Sequence, residues 1–373
     1  MAEATETYKV GQHPDLPPPR SEVGVIGWVK YNLLSTPFNV IMTLLAIWFL
    51  WSIIPPIFEW AVLDSIWTAE SRKACWAKME VPEGAACWAF IKDRIGLFIY
   101  GFYPADLRWR VNLSFVLMVL AIVSVLYENM PGRKFGLWYA VAFPFITGWL
   151  LVGGLGLTHV DTDQFGGIML TFIIGITGIS FSLPIGILLA LGRRSKLPVI
   201  RVLCVLIIEF IRGVPLIALL FIASTMLNYF LPPGTAFDLL LRVLIMVTVF
   251  SSAYIAEVIR GGLQGIPNGQ YEAADSLGLT YTKAHLLIIL PQALKISIPG
   301  IVNTFIGLYK DTTLVLIIGM LDPLGIGRAA LADAEWAGLA REVYIFVAVF
   351  FFICCFGMSR YSLWLEKRLS TEN

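Results

Sequence analysis

Three places in the sequence set charged side chains inside long apolar runs. Each needs a partner or a task there, since a charge at mid-bilayer costs about 2.5–3.5 kcal/mol on insertion scales. The first is Glu209 with Arg212, spaced i,i+3 and followed by Gly213-Val214-Pro215. One helix face carries both charges, Pro215 frees a carbonyl one turn earlier, and Gly213 admits a close neighbour or a ligand. The second is Tyr254 with Glu257 and Arg260, again with the two charges at i,i+3. The third is Lys310-Asp311-Thr312-Thr313, with Asn303 two turns earlier. Adjacent opposite charges belong in a bundle interior or a water-filled cavity rather than against lipid. Two readings stay open: charges that only pin helix packing, or groups lining a polar path. For Tyr254, Glu257 and Arg260 the alternatives are a gate or loop anchor and interface charges that snorkel.

A fourth feature is the long polar excursion Glu272–Pro291, with Glu272-Ala273-Ala274 at its start, Gly278 within it, and Ile288, Leu290 and Pro291 at its end. The carboxylate and the two alanines suit the first turn of a short helix, and Gly278 stops it. A second short helix is expected over Thr282–Leu290, with Leu286, Leu287 and Leu290 on its apolar side and Pro291 ending it. Two short helices between spans would expose a knob, the shape of a docking element for a soluble partner.

Other chemistries find little support. His13, His159 and His285 lie far apart and no His/Cys group has metal-ligand spacing, so no metal site is expected. The Gly-x-x-x-x-Gly-Lys-Ser/Thr phosphate loop is missing, so the chain itself is expected to bind no nucleotide and no other cofactor. Cys204, Cys354 and Cys355 sit in apolar runs as small hydrophobes. Cys75 and Cys87 share a hydrophilic loop, and on an oxidising side of a membrane they could close a small disulfide ring.

The elements that must position these groups are membrane helices. Of 373 residues, 58% are hydrophobic and 14% charged, against about 25% charged in soluble proteins. A net charge of +1 gives no footprint for nucleic acid. The fold expected is all-α and polytopic, with about eight spans: Phe38–Leu63, Val111–Tyr127, Phe135–Leu157, Gly166–Leu191, Val199–Leu231, Phe237–Glu257, Ile298–Leu321 and Val343–Leu363. Pro55-Pro56 should bend or end the first. Residues 1–37 are polar and proline-rich, an extended tail with a short interfacial stretch at Val23–Leu34. Residues 38–165 form a three-helix extension whose outer loop, 64–110, holds Trp67, Trp76 and Trp88 and is long enough for a small folded cap. Basic Arg133-Lys134 and Arg193-Arg194-Lys196 mark inner loops, which places both termini and residues 258–297 in the cytoplasm and loop 64–110 outside. Arg242, near the outer end of its span, is expected to pair with Asp238 at i,i+4.

The Glu-Ala-Ala segment resembles the EAA loop of bacterial ABC-type importer permeases. Its flanks sharpen the likeness: Ala253-Tyr254-Ile255-Ala256-Glu257-Val258-Ile259-Arg260-Gly261-Gly262, Gly269-Gln270, and Leu290-Pro291-Gln292-Ala293-Leu294-Lys295. These look like the polar amino acid uptake branch, over roughly residues 166–365, and the extension with its outer loop looks like the general L-amino-acid subgroup. The resemblance implies a type I permease domain over 166–373 and a bacterial inner-membrane location. It also implies that Glu272, Ala273, Ala274, Gly278 and Pro291 belong to a coupling helix that docks on an ABC ATPase dimer carrying ATP and magnesium. A second homologous permease subunit, a periplasmic amino-acid-binding protein, an amino acid substrate and lipid complete the implied partners. Lys310-Asp311-Thr312 resembles an element of these permeases. An amino acid zwitterion needs a cation for its carboxylate and an anion or carbonyls for its ammonium; Arg212 and Lys310 with Glu209 and Asp311 offer both. Gly213, Pro215, Tyr254, Glu257, Asn303 and Thr313 complete the candidate path. A membrane-embedded enzyme or a proton-coupled secondary transporter is the competing class. The first needs an aqueous cluster of histidines and acids, which is missing, and the second favours isolated buried carboxylates, whereas these have basic neighbours.

Overall fold

The computed structural model describes residues 24–79, 84–126, 133–226, 229, 232 and 237–369. Every named element among them is a helix, as a lipid-crossing backbone requires when it has no sheet to close. Self-contacts divide the chain into two compact units, Met1–Ile66 with Trp76–Ala86, and Trp67–Cys75 with Cys87–Asn373.

In the first unit α1 (Gly24–Asn32) precedes α2 (Pro37–Phe58), which Thr36 caps by accepting from the Asn39 amide at 3.2 Å. Of the two outcomes expected at Pro55-Pro56, a bend or an end, the end does not occur. The helix runs through both prolines, whose carbonyls accept from the Glu59 amide, and continues as a π-turn over Glu59–Leu63. The whole span is Pro37–Leu63.

The second unit begins with part of α3 (Arg72–Trp76), then α4 (Trp88–Tyr100), and Cys75 and Cys87 are disulfide-bonded. In α4, Phe90 packs on Trp336 and Phe98 on Phe346, while Arg94 forms an ion pair with Asp333 at 2.6 Å. The hydrophilic loop is thus partly a folded cap against residues 333–346. The hairpin α5 (Arg108–Leu126) and α6 (Arg133–Val152) is closed by the Tyr139 hydroxyl donating to the Leu117 carbonyl at 2.7 Å.

The centre of this unit is α7 (Gly167–Arg193) against α10 (Leu239–Gln264). Small residues recur every fourth position along α7, at Gly178, Ser182, Gly186 and Ala190, and all four are buried. A Cβ at Gly186 would stand 2.5 Å from the Ile255 side chain, so α10 sits as close as glycine allows. The two helices run parallel. Near their starts Thr162 donates to the Asp238 carboxylate, and at their far ends Arg194 reaches the Leu263 carbonyl at 3.1 Å.

That arrangement fixes the intervening chain. The expected single helix Val199–Leu231 is instead α8 (Pro198–Gly213) and α9 (Leu216–Phe221) with a π-turn over Ile222–Met226, bent by 103°. Val214 is pushed into the extended region by the proline that follows it. The segment leaves from the far end of α7 and returns toward the start of α10, so despite the bend it joins opposite ends of the parallel pair. Among the described residues seven helices are long and apolar enough to cross on their own, and counting the bent pair as one span makes eight.

After α10 come α11 (Asn268–Ser276) and α12 (Tyr281–Ala284), then a π-turn over His285–Ile289, α13 (Leu290–Asp311) and a 3-10 turn over Thr312–Ile318. Two expectations fail here. Pro291 does not end a short helix, because the wide π-turn lies where its ring would meet the preceding turn, and the helix continues through it. Glu272 is not in a first turn, since α11 opens at Asn268. The segment expected as a loop over 258–297 is helical at both ends, for α10 extends to Gln264 and the next long helix begins at Tyr281. The chain ends with α14 (Pro323–Ala330) and α15 (Ala340–Leu369).

Candidate functional site

The charged groups of three helices converge at the end of α7. Glu257 of α10 takes the Arg260 guanidinium on both carboxylate oxygens, at 2.9 and 2.5 Å, and is approached by Arg193 at 3.4 Å and Arg212 at 3.7 Å. Glu209 of α8 pairs with Arg193 at 2.8 Å. Glu209 and Arg212, at i,i+3 on α8, do not pair with each other; each meets a residue of a neighbouring helix. Each acid is served from another element, and three guanidinium groups face two carboxylates. None of the five is fully buried; their exposures run from 23% to 53%, so the lattice stays wet enough for its charges to be tolerated.

Arg212 is the least engaged of the three cations. It stands 5.8 Å over the Tyr254 ring and immediately precedes the elbow at Gly213 and Pro215. A Cβ at Gly213 would meet nothing within 4 Å, so the elbow borders open space. A planar guanidinium with free donors beside such a space can take a carboxylate on its fork.

The third charged place stands apart. Lys310 and Asn303 are exposed, Asp311 is half-buried, and the Thr313 hydroxyl donates to the Lys310 carbonyl at 3.0 Å. Among the described residues Lys310 and Asp311 form no salt bridge with the lattice. They do lead into the 3-10 turn that packs on α9, so the elbow and this segment are neighbours through backbone elements.

Next to the lattice lies α11. Its inward residues are Ala274, fully buried, and Tyr271, half-buried; Glu272, Ala273, Asp275 and Leu277 face out, with Leu277 74% exposed. Gly278 closes the helix at φ +66°, its amide donating to Asp275 at 2.9 Å while the Leu279 amide donates to Ala274 at 3.2 Å. That pair of bonds is a Schellman end, which needs the left-handed region and hence glycine. Gln270 accepts from Gln292 at 3.0 Å, which ties α11 to the helix containing Pro291.

Sequence reasoning missed Arg193, Arg194 and Tyr271, having read the two arginines only as a marker of topology. The expected Arg242–Asp238 pair is also absent. Arg242 donates to the Ala223 and Ser224 carbonyls at 3.1 and 2.7 Å, acceptors that the π-turn leaves free, and meets Asp238 only at its backbone.

Parallel small-residue packing, a broken span, a charge lattice and an exposed helical knob mark a polytopic all-helical membrane protein. The family described as the binding-protein-dependent transport system inner membrane component matches residues 182–371, and the chain belongs to it. It is 48% identical to the inner membrane amino-acid ABC transporter permease protein YhdY of Escherichia coli (strain K12), over 96% of this chain and 97% of that one. It is 45% identical to the glutamate/glutamine/aspartate/asparagine transport system permease protein BztC of Rhodobacter capsulatus, over 96% of each. A solved structure of an amino acid ABC transporter with histidines aligns over 54% of this chain and 92% of that chain, at 30% identity and a TM-score of 0.49.

Proposed function

We propose that this chain is the permease subunit of an ATP-driven amino acid importer in a bacterial inner membrane. The observation that carries the reading is α11, an exposed helix bearing Glu272, Ala273 and Leu277 outward beside a charge lattice at the mouth of the bundle. In this reading the α11 end faces the cytoplasm and docks on a dimer of ATP-hydrolysing subunits, which hold the ATP and magnesium. The first 37 residues form a cytoplasmic tail, residues 38–165 an extension, and 166–373 the permease domain; the disulfide cap faces the periplasm, where a binding protein delivers the amino acid. A second homologous permease subunit completes the pore. Eight crossings put both termini in the cytoplasm.

ATP-driven closure of the partner dimer displaces α11, and the spans around the Gly213–Pro215 elbow change their arrangement. Substrate passes Arg212, Glu209, Tyr254, Glu257, Asn303, Lys310, Asp311 and Thr313. The Arg212 fork suits an amino acid carboxylate, and the lattice acids or Asp311 suit its ammonium. The test is purification of the tagged chain from its native membrane followed by reconstitution. An ATPase and an extracytoplasmic binding protein should copurify, and labelled amino acid should enter vesicles only with ATP. Uptake driven by a proton gradient without ATP would overturn the assignment.

A further inference from the structure

The end of α7 carries two consecutive arginines that serve different neighbours. Successive residues on a helix project about 100° apart, so one side chain can turn into the bundle while the next turns out of it. Arg193 turns inward, one of its nitrogens lying 2.8 Å from Glu209 and 3.4 Å from Glu257. Arg194 turns toward α11. One of its nitrogens donates to the Tyr271 hydroxyl at 3.2 Å and to the Leu263 carbonyl at 3.1 Å, and its guanidinium carbon lies 5.7 Å from the Tyr271 ring centre. The Tyr271 hydroxyl donates to the same Leu263 carbonyl at 3.3 Å. That carbonyl belongs to the last turn of α10, where no helical amide remains to satisfy it.

Three helix ends are therefore knotted at one oxygen, and the knot is one residue removed from the charge lattice. We propose that Arg193 and Arg194 are positioning residues for transport, transmitting displacement of α11 to the lattice around Glu257. The inference rests on the reading of α11 as the ATPase-docking helix. Movement of Tyr271 drags Arg194 and with it the rigid last turn of α7, so Arg193 leaves its place between two carboxylates. Glu257 keeps the bidentate Arg260, and Glu209 loses the one ion-pair partner it has among the described residues. The acid beside the elbow is then free to turn toward Arg212 or a passing ammonium group. Lysine can supply a donor but not the guanidinium plane that lies beside the Tyr271 ring while one of its nitrogens reaches both the hydroxyl and the carbonyl, so it holds the link more loosely.

The experiment uses the whole complex, with the ATPase subunit and binding protein, in vesicles. Arg194→Lys, Tyr271→Phe and the double variant are compared for amino acid taken up per ATP hydrolysed. Tyr271→Phe keeps the ring and removes only the hydroxyl. Each single variant should lower the ratio roughly fivefold, the scale expected of one hydrogen bond, and the double variant should lower it no further, because both cut one link. The amount of assembled complex should match the unmodified protein. A ratio unchanged in both single variants overturns the proposal, as does a fall in uptake that only follows a loss of assembled complex. Failure of any ATPase to copurify with the unmodified chain would instead sink the docking reading. The link is then judged by amide exchange over 268–276 in the permease alone: faster exchange in both variants supports it, and unchanged exchange removes it.

Discussion

Asp322 shows what a single residue costs this protein. Its side chain caps α14, accepting from the Gly325 amide at 2.9 Å, yet it is fully buried and its second oxygen has no hydrogen-bond partner. Burial pushes its carboxyl up to about 6, against the opposing pull of the Gly325 amide. A folded-state value above the unfolded one means that the folded protein holds the proton more tightly. The stability that this supplies is full below about pH 4 and is lost as pH rises through about 6. Asp322→Asn keeps the capping oxygen and never ionises. It should match the unmodified protein near pH 4 and exceed it above pH 6 by on the order of 2–3 kcal/mol. Melting temperature in detergent between pH 4 and 8 reads this, and parallel curves for the two proteins would show that the carboxyl is not ionising where it is buried. Little of this was legible in the sequence, where Asp322 is one acid in a Leu-Asp-Pro run. The lattice was half legible: the spacing of Glu209, Arg212, Glu257 and Arg260 flagged charges worth explaining, and Glu257 with Arg260 pair as their i,i+3 spacing permits. The partners Arg193–Glu209 and Arg212–Glu257 lie 16 and 45 positions apart in sequence, and no local rule reaches that far.

Among the elements, α11 is the one whose shape most depends on one backbone angle. Gly278 sits at φ +66°, and a Cβ built there would meet no atom within 4 Å. Substitution therefore acts through backbone strain, roughly 1–2 kcal/mol for an ordinary residue in the left-handed region, and a clash plays no part. Asparagine visits that region readily, whereas valine does not. Gly278→Asn should keep most of the copurified ATPase, and Gly278→Val should lose most of it while inserting normally. Comparable loss in both variants would point to the glycine surface itself as the contact and away from the Schellman end. The stop at Gly278 could be read from sequence because glycine after a helical run is a local signal. The continuation through Pro291 could not, since it depends on the π-turn at His285–Ile289, which the sequence does not mark. Proline signals misled in both directions. Pro55-Pro56 and Pro291 leave their helices running, whereas Pro215, preceded by Gly213 and an extended Val214, turns the chain by 103°.

Across the whole molecule, long apolar runs disclosed the seven helices able to cross on their own, because about 20 apolar residues is a coarse and robust signal. How the broken segment counts was not disclosed. Its status follows from the parallel run of α7 and α10, whose starts meet at Thr162 and Asp238 and whose ends meet at Arg194 and Leu263. If α8 and α9 make one crossing, the chain between Cys87 and Leu277 crosses the membrane five times, through α5, α6, α7, the bent pair and α10. An odd number puts the two positions on opposite sides. If the bent pair dipped in and returned, four crossings would put them on the same side. Thiol labelling separates the two. In a chain with Cys204, Cys354 and Cys355 replaced by serine, an impermeant maleimide applied to cells with opened outer membranes should label Cys75 and Cys87 only after reduction, because they are disulfide-bonded. Leu277→Cys, placed on the exposed knob in a chain that also lacks Cys75 and Cys87, should react only once the inner membrane is permeabilised. Labelling of both positions from the outside would make the bent pair re-entrant and remove the common cytoplasmic side for the termini. Reaction of Cys75 without a reductant would remove the disulfide and leave the cap to the Arg94–Asp333 ion pair and the packing of Phe90 on Trp336.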